Sequence, residues 1–150
     1  MKKHRAMIFI IILLVITGIM AMVYLNDRED IPENAIELSV RSESQYIDIE
    51  KIKYENVSGS RVNGKGEKIE VNASGLSLEK VLNDAGITEY DTISVVADDA
   101  YSAEITVKEM QDGLEAYLIQ EEGEERLRLV VFGDKDSKRS VSNVAQIVVE

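Results

Sequence analysis

The side chains of this chain that could do chemistry gather most densely in one run, Asp98-Asp99-Ala100-Tyr101-Ser102-Ala103-Glu104. Carboxylates, a phenol and a hydroxyl in such close succession could hold a cation or hydrogen-bond a polar ligand. The run follows an apolar strand candidate, Thr92 to Ala97, and ligands often bind beyond strand ends. The same residues also read as a solvated turn that caps the next element. Arg126 and Arg128, with Lys138 and Arg139, form the main positive cluster outside the N-terminal segment. Facing the turn, they could bind an anion; otherwise they make surface ion pairs worth under about 1 kcal/mol each. The candidate ligand-binding residues are therefore Asp98, Asp99, Tyr101, Ser102, Glu104, Arg126 and Arg128. No residue is assigned a catalytic or metal-ligating role.

Other motifs are weaker. Ser77-Leu78-Glu79-Lys80 matches the S-x-x-K of penicillin-interacting enzymes, but the partner motifs S-D-N and K-T-G are absent. A helix cap accounts for Ser77 fully. Asn56 to Lys68 is turn-rich, with Gly59, Gly64 and Gly66; its Gly64-Lys65-Gly66-Glu67-Lys68 lacks the spacing of a phosphate loop, and the stretch reads as a hairpin or flexible surface loop. Asp134-Lys135-Asp136 begins like a calcium loop, but Lys138, Arg139 and Ala145 occupy the later ligand positions. Glu121-Glu122 and Glu124-Glu125 fall in a turn, where water is expected to screen them; a glycosidase-type pair needs a cleft. Asn56-Val57-Ser58 and Asn72-Ala73-Ser74 are glycosylation sequons that matter only in a eukaryotic secretory pathway.

The chain has 150 residues and a formal charge of −11. Setting Lys2, Lys3 and Arg5 aside leaves 14 basic against 28 acidic residues, a charge of −14. Nucleic acid is thereby disfavoured as a partner, because phosphate binding needs clustered Lys and Arg. Cationic ligands or a basic partner surface suit the long-range field, and the charge also keeps a surface domain soluble. There is no cysteine, so disulfides, thiolate nucleophiles and Cys-ligated metals are excluded. The one histidine, His4, precedes the apolar segment, which leaves the rest without a His base or ligand.

Residues 1–6 form a basic tip, and Met7 to Leu25 is an uncharged apolar run. A bilayer core about 30 Å thick needs about 20 such residues in a helix, so this run can span. The basic flank before it and the acidic flank after it place the N-terminus in the cytoplasm and the rest outside. The alternative is a cleaved signal peptide with a secreted product. The run is longer than an ordinary signal core, and a cut after Ala21 would put Ile19 where a small residue is wanted. A retained single-pass anchor in the cell membrane is the expectation.

Residues 26–34 then read as a linker, with Pro32 the only proline, and 35–150 as one domain. Ala35 to Val40 alternates as a strand. Tyr46 to Tyr54 fits either a strand or, from Ile49 to Ile52, a short helix. Lys68 to Asn72 is a strand. Gly75 to Thr106 organises the domain. Ser77 caps a helix over Leu78 to Ala85, and Gly86 ends it in the left-handed region. Thr92 to Ala97 is a strand whose Val95-Val96-Ala97 suggests burial on both faces. Thr106 and Glu109 form a capping box that starts a helix ending near Gly113. Leu114 to Gln120 and Arg126 to Phe132 are strands joined around Gly123. Gly133 to Ser140 is a charged loop, and Val144 to Val149 closes the chain as an edge or central strand.

Four blocks carry a resemblance: Gly75 to Ile87 (GLSLEKVLNDAGI), Val96 to Thr106 (VADDAYSAEIT), Arg126 to Val131 (RLRLVV) and Lys138 to Val149 (KRSVSNVAQIVV). In order and spacing this resembles the oxidoreductase molybdopterin-binding domain of sulfite-oxidase-type enzymes, over about half of the chain. That family tends to read G-x-x-L-x-x-L-L-x-x-A-G, then D-G-Y-S, then P-L-R-L-V-V and a terminal V-x-x-I. The resemblance implies an α+β fold with a mixed β-sheet and short helices, here preceded by one N-terminal transmembrane helix. In the enzymes a cysteine thiolate ligates molybdenum. This chain has none, Ala100 replaces the D-G-Y glycine, and Arg126 replaces the proline. No catalytic residue carries across and no cofactor is expected. The implied role is a non-catalytic module that binds a small ligand or an envelope protein, as an accessory to a redox system. Two alternatives remain: an oxidoreductase holding molybdopterin without thiolate ligation, and a purely structural envelope domain.

Overall fold

The computed structural model describes residues 2–26, 31–32 and 34–150. Met1, the acidic flank at 27–30 and Glu33, hence most of the expected linker, lie outside the described residues, as do the side chains of Lys2, Lys3, Arg5 and Ala6. The chain divides into two compact units, Met1–Ile31 and Pro32–Glu150.

The first unit is one helix, α1 (Lys2–Asn26). Its segment Met7–Asn26 is apolar and long enough to cross a membrane. A helix apolar on every side suits lipid rather than water, and this one is compatible with a membrane anchor or a signal sequence.

The second unit is α+β. In chain order its elements are β1 (Ala35–Val40), β2 (Glu43–Asp48), a 3-10 turn (Ile49–Lys51), β3 (Glu55–Val62), β4 (Lys68–Ser77), α2 (Leu78–Asp84), β5 (Thr92–Ala97), β6 (Ser102–Thr106), α3 (Val107–Gln111), β7 (Glu115–Gln120), β8 (Arg128–Phe132) and β9 (Val144–Val149). The first sheet has the order β2-β1-β9-β5-β6, and the second β3-β4-β7-β8. The first is mixed, because β9 runs parallel to β1 and antiparallel to β5. The second is antiparallel throughout. The closing strand is therefore central.

Alternation explains how the layers meet. Ile36 and Leu38 of β1, Ile93 and Val95 of β5, Ile105 of β6 and Ile147 and Val149 of β9 are buried on one face. They pack with Leu76, Leu118, Leu129 and Val131 from the second sheet and with Leu78, Val81 and Leu82 of α2. Val57, Val71, Ile119, Val130 and Phe132 form a second cluster on the other face of the second sheet. That face is buried because the sheet curls. The Gly133 N–H donates to the Ser60 carbonyl at 3.4 Å, which brings the outer strands β3 and β8 together.

Two expectations need correction. β5 alternates, with Val96 half-buried between buried Val95 and Ala97; the strand covered on both faces is β8, whose Leu129 to Phe132 are all buried. Ser102 to Thr106 is an edge strand, not part of the turn: Ala103 and Ile105 point inward while Ser102 and Glu104 are exposed. The open segment near Tyr46 divides into β2 and the 3-10 turn. The glycine-rich stretch from Asn56 is β3, and its loop is the hairpin turn into β4.

The caps form as the sequence directs. The Ser77 hydroxyl accepts the Lys80 N–H at 3.1 Å, and Gly86 sits at φ +79 after α2. Ser77 is therefore a structural cap. Ser77→Ala should lower stability by about 1 kcal/mol, read as a shifted urea midpoint at an unchanged slope.

Candidate functional site

The turn after β5 is held by its own backbone. The Ala97 N–H donates to the Tyr101 carbonyl at 2.8 Å, and the Ala100 N–H to the Ala97 carbonyl at 3.1 Å. Ala100 is left-handed at φ 68, a conformation that costs a residue with a Cβ about 1–2 kcal/mol. The side chains are engaged too. Asp99 Oδ1 accepts the Tyr101 N–H at 3.0 Å. The Tyr101 hydroxyl donates to the Lys138 carbonyl at 2.6 Å. Asp98, Asp99, Tyr101, Ser102 and Glu104 are all exposed. Tyr101 thus ties the turn to the charged loop, and the carboxylates point to solvent.

The arginines are placed differently. Arg128 lies on β8 and faces the second sheet's own acids. Its Nε is 2.8 Å from Glu121 Oε2 and its Nη2 2.7 Å from Glu124 Oε1. Arg61 of β3 reaches Glu121 Oε1 at 3.1 Å. The Arg128 Nε contact is close enough for an ion pair but not aligned as a hydrogen bond. Glu121 and Glu124 are consequently not screened turn residues: they fold inward onto Arg61 and Arg128, while Glu122 and Glu125 stay exposed. Arg126 is half-buried and makes no ion pair among the described residues. Arg139 is held by Asp134 and, at 2.8 Å, by Glu109. The arginine charges near β8 and the charged loop are largely neutralised within the fold, and Arg128 is not aimed at the turn.

Glu109 links this loop to the α3 cap. Its Oε2 accepts the Thr106 N–H at 3.0 Å and its N–H donates to the Thr106 hydroxyl at 3.3 Å. The Thr106 backbone N–H, then the Thr106 hydroxyl and Arg139, hold its carboxyl below the ordinary value against the cost of burial. A carboxyl depressed in the folded state stabilises the fold above its unfolded pKa and loses that contribution as pH falls through the folded one. Stability should therefore decline below about pH 4.3. Glu109→Gln should flatten that limb of a pH series of urea unfolding curves.

Concave surfaces lie elsewhere. One cavity of about 480 Å³ is on the second sheet, between Ile69, Val71, Ala73 and Ile119 and the Arg61–Glu121–Glu124 group. Arg61, Glu121 and Glu124 are already paired inside the protein, which leaves Glu70 and Glu122 as its lining charges without an ion pair among the described residues. A groove of about 440 Å³ lies between β2 and α2. Its floor is Ile47, Ile52, Leu76, Val81 and Ala85; Tyr46, Lys51, Lys53, Lys80 and Asp84 form its rim. A second cavity of about 330 Å³ shares Gln45 and Ala85 with it and continues along Leu38, Val40 and Ile87. Together they make a trough along β2.

The trough runs beside β2, the edge strand of the first sheet. There Glu43, Gln45 and Ile47 stand opposite Val40, Leu38 and Ile36. The lysines are fixed from outside. Lys51 Nζ is 2.9 Å from Asp48 and Lys80 Nζ is 2.5 Å from Glu55. Those carboxylates raise both lysine pKa values. Sequence reasoning missed this region. Its one signal was a small basic group, Lys51, Lys53 and Lys80, set among apolar residues in a domain nearly twice as rich in acids as in bases.

Compared with known proteins, the chain matches no protein-family model and no curated protein.

Proposed function

We propose that this is a membrane-tethered, non-catalytic binding module of the sulfite-oxidase-type molybdopterin-domain fold, and that it binds through the trough between β2 and α2. The observation that carries this reading is the trough: a groove with an apolar floor and three lysines on its rim in an otherwise acidic domain. An apolar cavity with a few placed polar groups is the usual form of a ligand site. The fold assignment is supported by where the resembling blocks fall: the end of β4 with α2, then β5 to β6, β8, and β9 with the loop before it. The apolar helix supports a cell-membrane location with the domain outside, by the charge on its flanks. Service to a redox system is part of the same proposal, resting on the resemblance alone.

The residues Asp98 to Glu104, the turn and the start of β6, do not suit a molybdopterin. They are exposed, their polar groups are partly committed to one another, and the chain offers no thiolate. No reaction step is assigned to them.

Native mass spectrometry on the full chain, gently extracted from its own membrane, tests the proposal. The expected result is a mass excess, from an organic ligand or a protein partner, that Ala85→Phe removes and Asp98→Lys/Asp99→Lys leaves in place. Ala85 lines both cavities, so a large side chain there blocks the trough. An excess matching a pterin with a metal would instead establish the oxidoreductase. An excess lost with the turn variant would return the site to the turn.

A further inference from the structure

The trough is polarised along its length. Lys51, Lys53 and Lys80 gather at one end against a single lining carboxylate, Asp84. The other end is lined by Leu38, Val40 and Ile87, with exposed Glu43 and Ser44 at its border. Between them the path follows β2, whose six residues extend about 20 Å. We propose that the ligand is a single-chain amphiphile with one anionic headgroup, the head against the three lysines and the hydrocarbon chain laid along β2 toward Val40 and Ile87. This rests on the trough being the binding site.

Three features favour that occupant. Three ammonium groups are concentrated at one end of the trough, balanced in number by Asp84 and by the Asp48 and Glu55 carboxylates outside it. Lys51 and Lys80 already hold carboxylates, Asp48 and Glu55, in exposed pairs. Exposed pairs are weak, so a ligand headgroup can join or replace those partners at little cost. Lys53 makes no ion pair among the described residues and is available outright. The apolar floor rewards chain length. Each buried methylene should tighten binding about fourfold until the chain reaches the far end. One apolar path, from Ile47 and Ile52 to Val40 and Ile87, suits one chain rather than two.

The test is photolabelling of the full chain in membranes with a diazirine-bearing dodecanoate, mapped by peptide mass spectrometry. Labelling is expected on peptides covering 45–53 and 81–87. Excess unlabelled dodecanoate should compete, with octanoate far weaker and dodecanol without effect. Label on α1, which reports partition into the bilayer, is the internal reference. Lys51→Glu/Lys53→Glu/Lys80→Glu should reduce trough labelling at least tenfold against that reference. Lys53→Glu alone, at an exposed position, should reduce it severalfold without a change in the urea midpoint. The proposal is overturned if label is confined to α1, or if the alcohol analogue labels the trough as well as the acid does. If labelling fails while the trough-dependent mass excess persists, the ligand class is wrong and the binding module stands. Loss of both overturns both.

Discussion

Gly75→Val should lower the stability of the domain by about 3 kcal/mol, and Gly59→Ala by a comparable amount. Neither glycine is needed for an unusual backbone angle; both are places where another part of the chain comes too close for a Cβ. A Cβ on Gly75 would lie 2.8 Å from Ile119 Cγ2 and 2.9 Å from the Leu118 carbonyl oxygen. The second of these is backbone in the paired strand β7 and cannot turn aside. A Cβ on Gly59 would lie 2.5 Å from the Phe132 ring. That contact joins the outer strands of the curled sheet. Overpacked cores lose about 1–3 kcal/mol and sometimes more. A double-mutant cycle separates the causes. Phe132→Leu should relieve much of the Gly59→Ala penalty, giving a coupling of about 1 kcal/mol or more, and should do nothing for Gly75→Val. Gly59→Ala within about 0.5 kcal/mol of the parent, the range of an ordinary surface change, would show that β3 does not close on β8.

Glu121→Ala is expected to cost about 2–3 kcal/mol. Glu121 serves two guanidinium groups at once, Arg61 at 3.1 Å and Arg128 at 2.8 Å. Their side chains are only 14% and 18% exposed, so water replaces the lost carboxylate poorly. Glu124 still holds Arg128, so the loss falls chiefly on Arg61. The group is also imperfectly satisfied, since Arg61 Nε and Glu124 Oε2 are buried without hydrogen-bond partners. Such a cluster is expensive to break and cheap to replace. Arg61→Leu/Glu121→Leu should therefore be less destabilising than Glu121→Ala alone. A double variant worse than the single one would mean that the ion pairs contribute net stability, contrary to this account.

The parts of the fold that could be read from the sequence were those that short-range chemistry decides. Ser77 and the Thr106–Glu109 box make their hydrogen bonds within three residues, and residues around Gly123 turn β7 into β8. The parts that could not be read depend on distant partners. β3 looked like a loop because Asn56 to Val62 is polar and glycine-bearing; its glycine is explained only by Phe132, far along the chain. β6 looked like a turn because its two exposed residues, Ser102 and Glu104, dominate a strand of five. Glu121 looked screened because nothing local says that the hairpin register carries it onto Arg61. The candidate site suffered most. Arg128 was grouped with the turn on the expectation that the final strands lie beside it, whereas the strand pairing directs it to the other sheet. The trough is lined by residues of β2, the segment after it, β4 and α2, and no single segment carries that arrangement.

Hydrogen–deuterium exchange on the natively isolated full chain, before and after its bound material is stripped with organic solvent and the protein returned to buffer, bears most directly on the claim that the trough is the functional surface. The account predicts that amides in 45–53 and 81–87 lose protection on stripping while those in 98–104 do not change. Protection lost at 98–104, with the trough unaffected, would contradict it.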